Sequence, residues 1–194
     1  MTTKEHAGVG VAAPNPDAGT IIEAPHGFGA AYPDLDPEHI DYDYLRAVSQ
    51  DLVPFGRLVG TRITEVGPDR AVVEIPAGET VRNHMGTVHA GALFTAADIA
   101  GATAFVGAAA ARLHTVDRLV LRGGNDSYRK PAVGRIRAIA TVDQRELADI
   151  LAATASARFE LSGKAVLLDD NDVLVAKFTF DYVCDVTIAE TEIR

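Results

Sequence analysis

Residues 90–111 read AGALFTAADIAGATAFVGAAAA, twenty-two positions of which half are alanine and one, Asp98, is charged. High helix propensity and the absence of proline predict one long helix from about His89 to Ala111. No polar stripe runs along it, so none of its faces suits water and other structure must wrap it. A bilayer is the alternative setting for such a segment. However, an Asp at a helix centre costs roughly 3 kcal/mol on insertion scales, and alanine offsets little of that. A buried core helix is therefore expected, with no membrane partner.

Working outward, the period changes from helical to two. Leu58 to Val66 and Arg70 to Pro76 read as strands joined at Gly67-Pro68-Asp69, and Asn83 to Val88 reads as a loop entering the helix. Beyond the helix, Thr115 to Arg122 and Asp126 to Lys130 form one strand interrupted by a bulge at Gly123-Gly124. Arg135 to Val142 alternates with Ile136, Ala138, Ala140 and Val142 on one face, and Arg145 to Ala153 is a short helix. The last two strands are Ser156 to Leu168 and Val173 to Val186, joined by an acidic turn at Asp169 to Asp172. In the final strand Leu174, Ala176, Phe178, Phe180 and Tyr182 share the core face. Two strands, a buried helix and four more strands exclude a doubly wound sheet. The fold class is α+β, an antiparallel sheet wrapped around one central helix.

The 194 residues suit one domain, placed at 39–190. Residues 1–38 contain Pro14, Pro16, Pro25, Pro33 and Pro37 without an apolar period, which predicts an extended or flexible arm. Asp36 is expected to cap a helix starting at Pro37, with Ile40, Tyr44, Leu45 and Val48 on one face. The net charge is −9, yet Arg112, Arg118, Arg122, Arg129, Lys130, Arg135 and Arg137 form a basic belt opposed within it only by Asp117 and Asp126. The belt reads equally as a seat for an anionic ligand or as solvated strand faces. Overall acidity, and a belt without interleaved aromatics, argue against nucleic acid. Cys184 is the single cysteine, which excludes a disulfide framework and a multi-cysteine zinc site, and nothing joins it to His114 as a nucleophile and base. No phosphate-cradling glycine loop or HExxH spacing is present, so no cofactor and no metal are expected. Without a basic region followed by an apolar stretch near the start, the expected compartment is the cytoplasm.

The chemistry concentrates between Asn83 and Asp98. A carboxylate in an uncharged helix loses hydration, a cost that persists unless the group is paired or opens onto a cavity; orienting a neighbouring loop is the other role open to it. The amides of Ala90 and Gly91 at the helix start carry the positive end of the macrodipole and can bind an oxyanion, with Asn83 and His89 as polar neighbours. His89 taken alone reads first as a cap or a satisfied histidine. Asp98 can activate water or attack a carbonyl itself. It lies nine residues after His89, about 13 Å along the helix and on the opposite face. If both serve one site, two subunits must build it, so a homodimer or a pair of dimers is expected.

The run from Asn83 through His89-Ala90-Gly91 to Asp98, with Tyr128-Arg129-Lys130-Pro131-Ala132-Val133-Gly134 later, resembles the hotdog acyl thioesterases of the phenylacetate-pathway type. The resemblance spans roughly residues 53–186, and Arg82-Asn83-His84 together with the inserted helix looks closest to a poorly characterised hotdog branch. It implies Asp98 as the catalytic acid, the Ala90 amide as oxyanion donor, Asn83 and His89 lining the thioester, and a site shared across a dimer. Ala90 stands where the family has the first Gly of His-Gly-Gly, which adds a methyl at the mouth. Leu121 stands where related enzymes carry Ser or Thr. The implied function is hydrolysis of an acyl-CoA or acyl-carrier-protein thioester, with Gly91, Arg129 and Lys130 binding substrate. Alternatives are a hotdog protein that binds acyl thioesters without cleaving them and, ranked lower, a hotdog dehydratase.

Overall fold

In the computed structural model, residues 27–188 are described. Six strands form one antiparallel sheet in the order β1-β2-β4-β5-β6-β3. They are β1 (Arg62–Val66), β2 (Ala71–Ile75), β3 (Val116–Tyr128), β4 (Ile136–Val142), β5 (Ala157–Leu168) and β6 (Leu174–Val186). The long helix α3 (Ala90–Ala108) lies against β1, β2, β4, β5 and β6. Helices α1 (Tyr42–Leu52) and α2 (Pro54–Val59) pack on it as well. By length and composition α3 could cross a bilayer, but 72% of its apolar window is buried inside the fold. Its small side chains let the curved sheet approach closely, and its apolar surface leaves water on nearly every side.

Period two is realised most cleanly in β4, where Ile136, Ala138, Ala140 and Val142 face inward and the residues between them outward. In β6 the buried set runs Ala176, Phe178, Phe180, Tyr182, Cys184 and Val186. β3 is continuous through Gly123-Gly124, and its register against β6 slips between Leu121 and Gly123, where the bulge is expected. Helix α4 (Gln144–Leu151) starts at Asp143, whose carboxylate accepts from the amides of Arg145 and Glu146.

Three expectations need correction. The segment Leu58 to Val66 is not one strand: Pro54 opens α2, Gly60 closes it in the left-handed region, and only Arg62–Val66 is extended. The first helix is capped by Asp41, which accepts from Asp43 and Tyr44, and not by Asp36, whose carboxylate is taken by the Glu38 amide in a local turn. Residues 27–38, read as part of an extended or flexible arm, are packed on the domain. Phe28 packs edge-on against Phe105, and Tyr32 is buried with its hydroxyl 2.9 Å from Ser49 Oγ. Aromatic burial holds this stretch despite its prolines. The remainder of the expected arm, 1–26, lies outside the described residues.

Candidate active site

The loop into α3 is organised by Asn83. Its Oδ1 accepts from the amides of Met85 and Thr87 at 3.0 and 3.2 Å, and its Nδ2 donates to Thr87 Oγ1 at 2.9 Å. The loop's far end is fixed by Val88 N donating to Ala132 O and His89 N donating to Val81 O. His89 then caps the helix, its Nδ1 accepting from Gly91 N at 2.9 Å. An amide can only donate, so Nδ1 offers its lone pair and the ring proton sits on Nε2. The Gly91 amide is therefore spent inside the cap, contrary to the expectation that it is free for ligand. The Ala90 amide has no partner among the described residues and keeps the free donor at the positive end of α3.

A cleft of about 590 Å³ opens beside Ala90, lined by Asn83, Ala90, Leu93, Tyr128, Arg129 and Lys130 among others. The volume falls in the range of small-molecule sites. Four of the residues singled out from sequence are thus gathered in one place. Arg129 and Lys130 arrive there through their amides, which donate to Val175 O at 2.7 and 3.3 Å. The rest of the basic belt is otherwise engaged. Arg118 bonds Asp185, Arg122 bonds Glu160, Arg135 bonds Glu74 and Asp170, Arg137 bonds Asp172, and Arg112 donates to Ala153 O. Arg129 and Lys130 are exposed and make no ion pair among the described residues. His89 and Gly91 face a second, more apolar cleft of about 700 Å³ with Phe55, Leu58 and Phe94.

Asp98 belongs to neither cleft within the subunit. Eight residues past Ala90, it is about 12 Å further along α3. Phe94, Asp98 and Gly101 follow one another on the face turned to β6, where the Phe94 ring meets those of Phe178 and Phe180 at 5.9 and 6.4 Å. Half-buried and without a hydrogen bond among the described residues, the Asp98 carboxyl is pushed above the usual carboxylate range by desolvation. Tyr182 on β6 is the feature missed in the sequence: its hydroxyl is buried and, among the described residues, unpartnered, and the Asp98 charge adds to burial in holding its proton on. Alternation placed the ring on the core face but carried no signal about the hydroxyl's neighbours. Cys184 is fully buried and its thiol is pushed up to about 12 by burial and the nearby Asp185, so it offers no thiolate. Among the described residues no three His, Cys, Asp or Glu side chains gather as a metal site.

A family model described as a domain of unknown function (DUF4442) matches residues 43–183, most of the chain. The chain belongs to this family. Among curated proteins no significant match is found. Solved structures with similar folds include the protein OLEI01261 of Chlorobaculum tepidum TLS, at 26% identity and TM-score 0.60, covering 75% of this chain and 94% of that one. The conserved protein PA5202 of Pseudomonas aeruginosa is 24% identical with TM-score 0.56, covering 70% and 96%. The thioesterase HI1161 of Haemophilus influenzae is 12% identical with TM-score 0.59, covering 80% and 98%. This member of the family has the hotdog fold, as the resemblance implied.

Proposed function

We propose that the protein hydrolyses acyl thioesters of coenzyme A or of an acyl-carrier protein, in the cytoplasm, with Asp98 as the reacting carboxylate. One observation carries the reading: Asp98 is a desolvated carboxylate without a partner, held on a helix whose first amide is also unpartnered. The separation of the two groups along α3 is met by a dimer, in which the helix start of one subunit and Asp98 of the other serve the same thioester. The edge of the sheet suits such pairing, because β3 is thirteen residues long and, among the described residues, is bonded to β6 alone.

In the reaction Asp98 takes a proton from water as the oxygen attacks the thioester carbonyl carbon. The Ala90 amide and the α3 dipole stabilise the oxyanion of the tetrahedral intermediate. Collapse breaks the C–S bond and releases thiolate, which recovers a proton, and carboxylic acid. Desolvation suits the carboxylate to this task, because it strengthens it as a proton acceptor. Direct attack by Asp98 on the carbonyl uses the same group and forms an anhydride that water then opens. Arg129 and Lys130 meet the phosphates of the carrier arm, while Asn83 and His89 hold the loop and helix start that present the amide.

A second reading, binding without cleavage, is favoured by Leu121, which puts an apolar side chain where related enzymes carry a hydroxyl. Thiol release from a panel of acyl-CoA and acyl-pantetheine substrates separates the two. Hydrolysis by the wild type that falls at least ~10²-fold in Asp98→Asn, with ligand affinity retained, is the expected result. Tight binding with no thiol release from any substrate would establish the binder instead.

A further inference from the structure

We propose that Tyr182 is a positioning residue for Asp98, its buried phenolic hydroxyl donating a hydrogen bond to the ionised carboxylate and holding it aimed for reaction. This assignment rests on the hydrolytic reading of Asp98. It starts from an anomaly: Tyr182 is 1% exposed, and its Oη has no hydrogen-bond partner among the described residues. Buried hydroxyls nearly always have one, because leaving one bare costs stability. A phenylalanine would fill the same slot without that cost.

The slot is shaped for the hydroxyl. A Cβ on Gly101 would collide with Tyr182 Oη, and one on Gly163 of β5 would lie 3.0 Å from the ring's Cε2. A glycine inside a helix is destabilising relative to alanine, so α3 gives up stability at Gly101 for the room the hydroxyl occupies. Helical Cβ bonds tilt toward the N-terminus. The space vacated at Gly101 therefore lies on the side of the preceding turn, where Asp98 sits three residues earlier on the same face. The strand neighbours in register with Tyr182 are Leu121 on β3 and Leu161 on β5, neither of which offers the hydroxyl an acceptor.

Among the described residues, the titratable groups of the elements packed on α3 are placed elsewhere: on the 3-10 turn Ala110–Thr115 that follows the helix, Arg112 donates to Ala153 O and His114 lines a cleft with Tyr32 and Pro37. Cys184, on the inner face of β6, is influenced by Asp185, and Tyr32 is bonded to Ser49. The buried faces of β1, β2, β4, β5, α1 and α2 carry apolar side chains, glycine or Ser49. Desolvation is the cause of the raised Asp98 pKa, and Asp98 is the charged group felt by Tyr182. When the carboxylate ionises, this phenol, left bare against Gly101 one turn further along α3, turns to it as donor.

The test is Tyr182→Phe in the full-length protein. The readouts are the ¹³C titration of the Asp98 carboxyl, assigned by its loss in Asp98→Asn, the melting temperature, and kcat and KM against pH. Removing a donor to the ionised form raises the Asp98 pKa further, by about one unit. The acid limb of kcat/KM moves up by the same amount, and kcat falls about tenfold with KM nearly unchanged. If the wild type hydrolyses no thioester but the Asp98 titration still moves in Tyr182→Phe, the positioning role stands and the hydrolytic reading falls. A folded Tyr182→Phe whose Asp98 titrates as in the wild type, with a higher melting temperature and an unchanged pH profile, overturns the proposal.

Discussion

The start and the middle of α3 treat polar groups in opposite ways. At the start, the Asn83 side chain makes three hydrogen bonds, His89 caps Gly91, and the free Ala90 amide is exposed. In the middle, the Tyr182 hydroxyl sits against Gly101, one turn past Asp98, and both groups are desolvated and without hydrogen-bond partners among the described residues. The first region is built from local bonds that favour the fold. The second costs stability, and such costs persist where chemistry needs them.

The sharpest way to break this contrast is Asp98→Asn. Turnover is expected to drop ~10²-fold or more while the melting temperature at pH 7 rises, because the substitution removes a desolvated charge. The sign follows from proton binding. With its folded pKa raised, Asp98 holds more protons in the native state, so native stability falls as pH climbs from the unfolded value, about 3.9, through the folded one. Melting curves of the two proteins should converge near pH 4 and separate toward neutrality. A mutant that melts lower at pH 7 would make Asp98 a structural anchor.

Charges at the helix start give the next largest effect. Arg129→Ala with Lys130→Ala should raise KM for acyl-CoA about tenfold, equivalent to roughly 1.4 kcal/mol, and flatten its dependence on salt. Arg122→Ala, which removes one side of an exposed ion pair with Glu160, serves as the control and should leave KM unchanged. Equal responses from the two would return the whole belt to a solvated surface.

The smallest effect belongs to the cap. His89→Ala should lower stability by about 1 kcal/mol, and His89→Asn, which can accept the same amide, should recover most of it. Chemical denaturation monitored by circular dichroism would read both. Loss in both variants alike would mean that the ring, rather than its lone pair, matters.

The central helix and the later strands were legible because their patterns are local. Alanine-rich continuity marks α3, and alternation marks β4 and β6. Where two local signals competed, reading failed. Asp36-Pro37 looks like a cap and first helical residue, but the Asp36 carboxylate closes its own turn and Asp41 starts the helix. The alternating side chains of Leu58 to Val66 concealed Pro54 and Gly60 as the ends of α2. Phe28 and Tyr32 resembled arm residues because the partners that bury them, Phe105 and Ser49, lie far along the chain. In the site, the spacing from Asn83 to Asp98 drew attention to the right helix. That Arg129 and Lys130 alone of the belt lack a side-chain partner among the described residues, and that Tyr182 reaches the gap at Gly101, depend on tertiary contacts that no local pattern carries.

Chain order gives α3 one more consequence. Synthesis runs from the N-terminus, so this helix exists before β3, β4, β5 and β6, four of the six strands of the sheet, have been made. For that interval the nascent chain displays a nineteen-residue segment long and apolar enough on average to enter a bilayer. Asp98, near the centre of the segment, makes insertion costly by roughly 3 kcal/mol. The residue that burdens the finished fold thus also protects the unfinished one, steering a newborn helix away from lipid until its own sheet arrives.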